Sequence, residues 1–327
     1  MHQRMTPEMS TPATATAARG AMPATMPAYS YAAILAASER VQWRVEDLIG
    51  GDKRLDFGRP FMPASLARTE ALDFLSPAER RTMNQVGGHT YLALFGVVEE
   101  FILPFVLDHA RPRLSMEDEG VRAFLNFASE EAKHIHLFRR FRAAFEEGFG
   151  HRCDVIGPAD AIAKEVLSHE PLSVALAILH IEWMTQRHYL ESVKDDGDLD
   201  PMFKSLLRHH WMEEAQHAKL DTMMVEALAA TMTGEEVMRA VDGYLGIGGF
   251  LDAGLRQQTE LNLAALERAL GRAMTPAQRE RFMATQHQAA RWTYLGSGMT
   301  HPAFLETLGR LAPAARAKVE AVAPMFC

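Results

Sequence analysis

Two short segments of the 327-residue chain carry the same pair of metal-competent side chains at the same spacing: SEEAKH, Ser129 to His134, and MEEAQH, Met212 to His217. In each, a glutamate precedes a histidine by three positions, Glu131 with His134 and Glu214 with His217, and residues three apart on a helix project from one face. That face is apolar in both segments: Phe124, Phe127, Phe138 and Phe145 fall in register with the first pair, and Phe203, Leu207 and Met224 with the second. A carboxylate or imidazole on a buried stripe costs several kcal/mol unless something compensates it. Cations held between the two motifs would do so, and the mixed oxygen and nitrogen donors suit iron or manganese.

A dinuclear site needs further acids. The segment ALFGVVEEF offers Glu99 or Glu100, and AILHIEWMT offers Glu182. The intervals from Glu99 to Glu131 and from Glu182 to Glu214 are both 32 residues, so the two halves read as a repeated helix pair, weak in identity and regular in ligand spacing. Glu99 is preferred over Glu100, because it shares a stripe with Leu92, Phe95, Ile102 and Val106, whereas Glu100 lines up with Ala93, Pro104 and Asp108. The 19 methionines show no regular Met-x-x-Met cluster and read as an adaptable core, not a copper site.

The elements that must position these residues are helices. Stretches rich in Ala, Leu, Met, Glu, Gln and Arg dominate, and no alternating strand pattern is found. A helix is expected near residues 31–49, and Ser76-Pro77-Ala78-Glu79 opens a long one to about Asp108. Ser115 with Glu117, Asp118 and Glu119 begins another, to about Gly148. A third follows Pro171 and ends at the loop DDGDLDP, and a fourth runs from about Pro201 to Ala230. Thr233-Gly-Glu-Glu opens a helix expected to break at GIGG, residues 246–249; Thr275-Pro276 starts one more, and a helical hairpin closes the chain. The expectation is an all-α four-helix bundle over about residues 78–230, with covering helices over 234–322 completing one domain of residues 31–327 behind a disordered tail, residues 1–30.

Composition removes several alternatives. With 34 Lys and Arg against 42 Asp and Glu, a net charge of −8, the chain lacks the broad basic surface of a nucleic-acid binder. Two cysteines, Cys153 and Cys327, are too few for a disulfide framework. No apolar run of signal-peptide length stands in the tail, so a reducing cytoplasm is expected. The most apolar stretch, residues 91–107, carries Glu99 and Glu100 at its centre, which argues for a buried helix and against a membrane span.

The doubled Glu-x-x-His with a preceding acid on each of two other helices resembles the ferritin-like di-iron carboxylate proteins over about residues 84–225. Within that class, His210 precedes Glu214 by four positions and His217 by seven, so all three share a stripe. A His-x-x-x-Glu-x-x-His helix resembles the p-aminobenzoate N-oxygenase family, whose members use an extra histidine ligand. The resemblance implies a non-haem di-iron monooxygenase that activates O2 and inserts oxygen at an amine nitrogen. It also implies that Glu99, Glu131 and His134 hold mainly one iron and Glu182, His210 and His217 mainly the other, with Glu214 and Glu131 bridging. Where the related motif places Asp before the ligand glutamate to orient an imidazole, this chain has Glu130 and Glu213; Asp221 is a further orienting candidate.

Other residues stand apart from that set. Gln186 and Tyr189 are candidates to line the cavity, and Arg139 or Arg187 to hold a substrate carboxylate. His89, His136, His180, His188 and His209 lie off the ligand stripes. The partners expected are O2, a small organic substrate and an external electron donor, with a homodimer conceivable. Rival expectations keep the same site: a desaturase or hydroxylase acting on carbon, or a ferroxidase or iron-storage protein. About 100 residues beyond the ligands favour a covered substrate pocket over storage.

Overall fold

The computed structural model describes residues 29–115 and 118–327, and among them every regular element is helical. In chain order the helices are α1 (Tyr31–Ser38), the single turns α2 (Val45–Leu48) and α3 (Ala64–Ala67), then α4 (Pro77–Ala110), α5 (Asp118–Phe149), α6 (Ala159–Leu167), α7 (Pro171–Arg187), α8 (Pro201–Ala229), α9 (Gly234–Leu270), α10 (Pro276–Arg291), α11 (Ser297–Met299), α12 (Pro302–Leu311) and α13 (Pro313–Val322). Most of the expected tail, and part of the expected start of α5, lie outside the described residues.

Local chemistry sets the starts of the long helices. Ser76 accepts from the Glu79 amide while the Glu79 carboxylate takes the Ser76 N–H at 2.8 Å, and Pro77 occupies the first turn where its missing N–H costs nothing. Thr233 with Glu236 and Thr275 with Gln278 repeat this reciprocal cap on α9 and α10, and Asp200 caps α8 through the Phe203 amide at 2.6 Å.

The bundle is α4 laid along α5 and α7 along α8, closed by contact between α5 and α8, with α9 packed across both α4 and α7. Phe95, Phe101, Phe124, Phe127, Phe138 and Phe203 are fully buried in its core. The apolar run of α4 is long enough to cross a membrane by length and composition; here it packs against α5, α6 and α9.

Two expectations need correction, and the third helix ends where expected but by an unexpected turn. The helix near residues 31–49 stops at Ser38 and resumes only as the turn Val45–Leu48. The GIGG segment does not interrupt α9, which runs unbroken through it; just before it Gly243 serves close approach to the Ser173 side chain, while within it Gly248 lies at ordinary contact distance from the Met299 methyl. Beyond Arg187 the third helix continues as a wider π-helical turn, His188–Val193, in which the Lys194 N–H reaches the Tyr189 carbonyl at 2.9 Å.

Candidate metal centre

Each of the four bundle helices delivers carboxylate or imidazole to one enclosed point. From α4 comes Glu99, 2% exposed, while its neighbour Glu100 turns outward and pairs with Arg139 at 2.7 Å. From α5 come Glu131 and His134, from α7 Glu182, and from α8 His210, Glu214 and His217, all buried. The two adjacent acids of α4 thus part as their stripes do, Glu99 to the core and Glu100 toward the surface.

Glu214 sits in the middle. Its Oε1 lies 3.2 Å from Nδ1 of His134 and 2.5 Å from Nε2 of His210, and its Oε2 lies 2.7 Å from Nδ1 of His217. Glu131 spans the same two imidazoles, at 2.9 Å from Nδ1 of His217 and 3.5 Å from Nδ1 of His134. Glu99 lies 3.2 Å from His210, and Glu182 is buried beside Glu214. Two groups of donor atoms result, each within 4.8 Å of one another: Glu99, His134, His210 and Glu214, and Glu131, His134, Glu214 and His217. His210 therefore stands beside Glu99 and His134, whereas the resemblance had implied company with Glu182 and His217.

The donor set fits a pair of cations. Both oxygens of Glu131, one each of Glu99 and Glu182, and Nδ1 of His134 are buried without a hydrogen-bond partner, although ring nitrogens and oxygens lie within about 3 Å of several of them. Lone pairs converging on a centre, and not on each other's protons, are what coordination requires and what hydrogen bonding leaves unsatisfied. Charge tells the same story. Burial, reinforced by Glu131 for one and Glu214 for the other, holds Glu99 and Glu182 well above the usual carboxylate range. Burial opposes ionisation of His134 and His217 too, but the neighbouring Glu214 carboxylate overrides it and pushes both well up. Burial and Glu214 likewise raise Glu131, yet the neighbouring Glu99, His217 and His134 outweigh them and bring it to about 2. Protons thus fill the place that cations would take, and metal binding would displace them.

The imidazoles are aimed from behind, crosswise. Nε2 of His134 on α5 meets Glu213 of α8 at 2.9 Å, and Nε2 of His217 on α8 meets Glu130 of α5 at 2.7 Å. Both rings consequently present Nδ1 to the centre. Glu130 is itself held by the Ser38 hydroxyl of α1 at 2.6 Å, and Glu213 by the Lys133 ammonium. Lys133 lies 4.0 Å over the Trp43 ring, which stacks on His134 at 6.1 Å. Ser38, Trp43 and Lys133 were not anticipated, and nothing in their local spacing announces them. Asp221 does not orient His217: its two oxygens are fully buried with no hydrogen-bond partner. Glu130 has taken the imidazole, and burial pushes the Asp221 carboxyl well up.

Aromatic rings seal the hollow. Phe127 stacks on His217 at 4.0 Å, and Phe138 and Phe95 stand edge-on to His210 at 5.0 and 5.4 Å. Gln186 and Tyr189 are drawn elsewhere, the amide toward the Trp211 carbonyl at 3.5 Å and the phenol ring onto Trp211 at 4.3 Å. Arg187 is tied to the Ser297 carbonyl and the Thr300 hydroxyl, and Arg139 to Glu100, so neither reaches the centre. The five histidines expected off the ligand stripes have their own neighbours: His180 with Tyr244, His188 with Ser297, His209 with the Ser205 carbonyl, His89 near Glu146 and His136 near Glu46.

An all-helical bundle with a buried carboxylate–histidine centre able to hold two metal ions is the class that fold and site define. Its family follows from sequence: the profile described as "P-aminobenzoate N-oxygenase AurF" matches residues 5–242, and the chain belongs to that family of oxygen-dependent oxidoreductases. Among solved structures, the chain is similar to variants of an R2-like ligand-binding oxidase. One with an aerobically reconstituted Mn/Fe cofactor is 14% identical, with a TM-score of 0.41, covering 81% of this chain and 94% of that one. Another, with an Fe/Fe cofactor, is 14% identical with a TM-score of 0.41, covering 79% and 91%. No curated relative matches the chain.

Proposed function

We propose that the chain is a di-iron monooxygenase that oxidises an amine nitrogen. Glu99, Glu131, His134, Glu182, His210, Glu214 and His217 would hold two irons, with Glu214 and Glu131 each standing between the imidazoles of His134 and His217. The observation that carries this reading is the buried convergence of those seven side chains, with oxygens left unpaired, in a chain whose family is named for N-oxygenation.

Bound iron would supply the redox chemistry by which O2 is activated. The protein's own work is positional. Glu130 and Glu213 fix ring orientation and tautomer of His217 and His134, so the nitrogens facing the centre keep their lone pairs. Phe95, Phe127 and Phe138 keep bulk water from the hollow, which strengthens every electrostatic interaction inside and protects reactive species. The overall change balances as an amine, O2, two electrons and two protons giving an N-hydroxylamine and water: one oxygen inserts into an N–H bond and the other leaves as water. The electrons come from an external donor.

The test is turnover of the iron-loaded full chain. Reduced protein mixed with isotopically labelled O2 and an arylamine should give a product carrying labelled oxygen on nitrogen. Label found only on carbon would replace this reading with the hydroxylase one, and uptake of O2 with hundreds of irons mineralised per assembly would replace it with iron storage.

A further inference from the structure

Beside the ligand cluster, between α4, α6, α7 and α9, lies a cavity of about 440 Å³, within the size range of small-molecule sites. It adjoins the centre: Phe95 lines it and also stands edge-on to His210, while Val98 and Ile181, two further lining residues, immediately precede Glu99 and Glu182. Its inner wall is apolar, with Phe101, Met184 and Leu255 buried there. Its mouth is formed by exposed residues of α6 and α9, among them Ala161, Glu165 and Phe250. Among the described residues, no lysine, arginine or histidine lines it, and the one charged side chain there is the carboxylate of Glu165. Arg139 and Arg187, the candidates for holding a substrate carboxylate, are engaged elsewhere, and Lys133, next to His134 in sequence, is held by Glu213 and Trp43.

We infer that this cavity is the substrate site and that it takes an uncharged arylamine with an apolar body, excluding arylamines that carry a carboxylate. For the amine the inference rests on the function proposed above; the cavity's preference for uncharged, apolar ligands does not. A carboxylate drawn into this wall would lose its hydration with no cation to receive it, and would pass the like charge of Glu165 on the way. An alkylammonium would have to shed its proton to enter. An arylamine is a weak base that is already neutral at pH 7, so its nitrogen enters without that cost. The p-aminobenzoate in the family's name therefore does not describe the substrate of this member.

Calorimetry of the metal-free full chain tests this without turnover. Affinity for p-alkylanilines should rise roughly fourfold per added methylene from methyl to butyl, as burial of each group predicts, while p-aminobenzoate should bind at least tenfold more weakly than p-butylaniline. Ala161→Trp, at the exposed mouth, should weaken p-butylaniline at least about tenfold with the fold intact by circular dichroism. Val98→Arg, which places a cation in the wall, should narrow or reverse the preference over p-aminobenzoate; Val98→Leu controls for bulk. Equal or tighter binding of p-aminobenzoate by the natural chain, or alkylaniline affinity unmoved by Ala161→Trp, would overturn the inference. The two proposals fail separately: alkylanilines that bind in the cavity but are oxygenated only on carbon contradict the nitrogen chemistry and leave the cavity assignment standing.

Discussion

Glu213 of α8 stands 2.9 Å from Nε2 of His134 on α5, and by the reciprocal contact Glu130 of α5 holds His217 of α8. Each motif helix thus aims the other's histidine. Removing one acid should leave the fold intact and free an imidazole to rotate. Glu213→Ala and Glu130→Ala are each expected to lower metal affinity about 10–100-fold, measured by competition with a chromophoric chelator; affinities equal to the natural chain would show that these contacts do not orient the ligands.

The two adjacent acids of α4 should separate cleanly. Glu99→Gln is expected to abolish stoichiometric metal loading, because Glu99 faces His210 in the buried cluster. Glu100→Gln should load normally and cost no more than about 1 kcal/mol, the usual ceiling for an exposed pair such as Glu100 with Arg139. Metal analysis of both proteins, with chemical denaturation, decides it, and the reverse pattern would reassign the α4 ligand.

Much of this centre was legible in the sequence, because a helical repeat converts spacing directly into a shared face: Glu131, His134, Glu214 and His217 needed only their intervals and their aromatic neighbours. What remained hidden depends on contacts between distant segments. Ser38 reaches Glu130 across 92 positions of chain, Trp43 reaches His134 from an irregular stretch, and no local pattern encodes either. Asp221 misled for the same reason, since its place on the stripe says nothing of Glu130 arriving from another helix to occupy His217. The GIGG segment misled because glycine weakens an isolated helix, whereas packing against α7 and α11 overrides propensity here.

That override makes opposite predictions for two glycines of α9. A Cβ at Gly249 meets open space, so Gly249→Ala should stabilise by up to about 1 kcal/mol through helix propensity. A Cβ at Gly243 would collide with the Ser173 side chain, so Gly243→Ala should destabilise. Denaturation midpoints compare them; stabilisation at both positions would mean that α9 and α7 are not in the close contact described.

Stability should also depend on pH through His180. Its Nδ1 accepts from the Tyr244 hydroxyl at 2.7 Å and its Nε2–H donates to the Tyr294 carbonyl at 3.2 Å, an arrangement for a neutral ring, and burial lowers it to about 4. Unfolded, it takes up its proton near the ordinary value of about 6.5. Between those values the unfolded chain binds more protons, so stability rises with pH across that window. The contribution, about 3 kcal/mol, is complete above pH ~6.5 and is lost as pH falls through it toward 4. His180→Gln should be less stable than the natural chain at pH 7 and show a shallower decline to pH 4.5. An equally steep decline would place the pH dependence elsewhere.

The most direct test of the central claim is metal stoichiometry of the full chain after anaerobic loading with ferrous iron, alongside Glu214→Ala, which removes the side chain touching His134, His210 and His217 together. Two irons per natural chain, and loss of the paired site in the variant, are predicted. One iron or none in the natural chain, or an undiminished pair in the variant, would contradict the account.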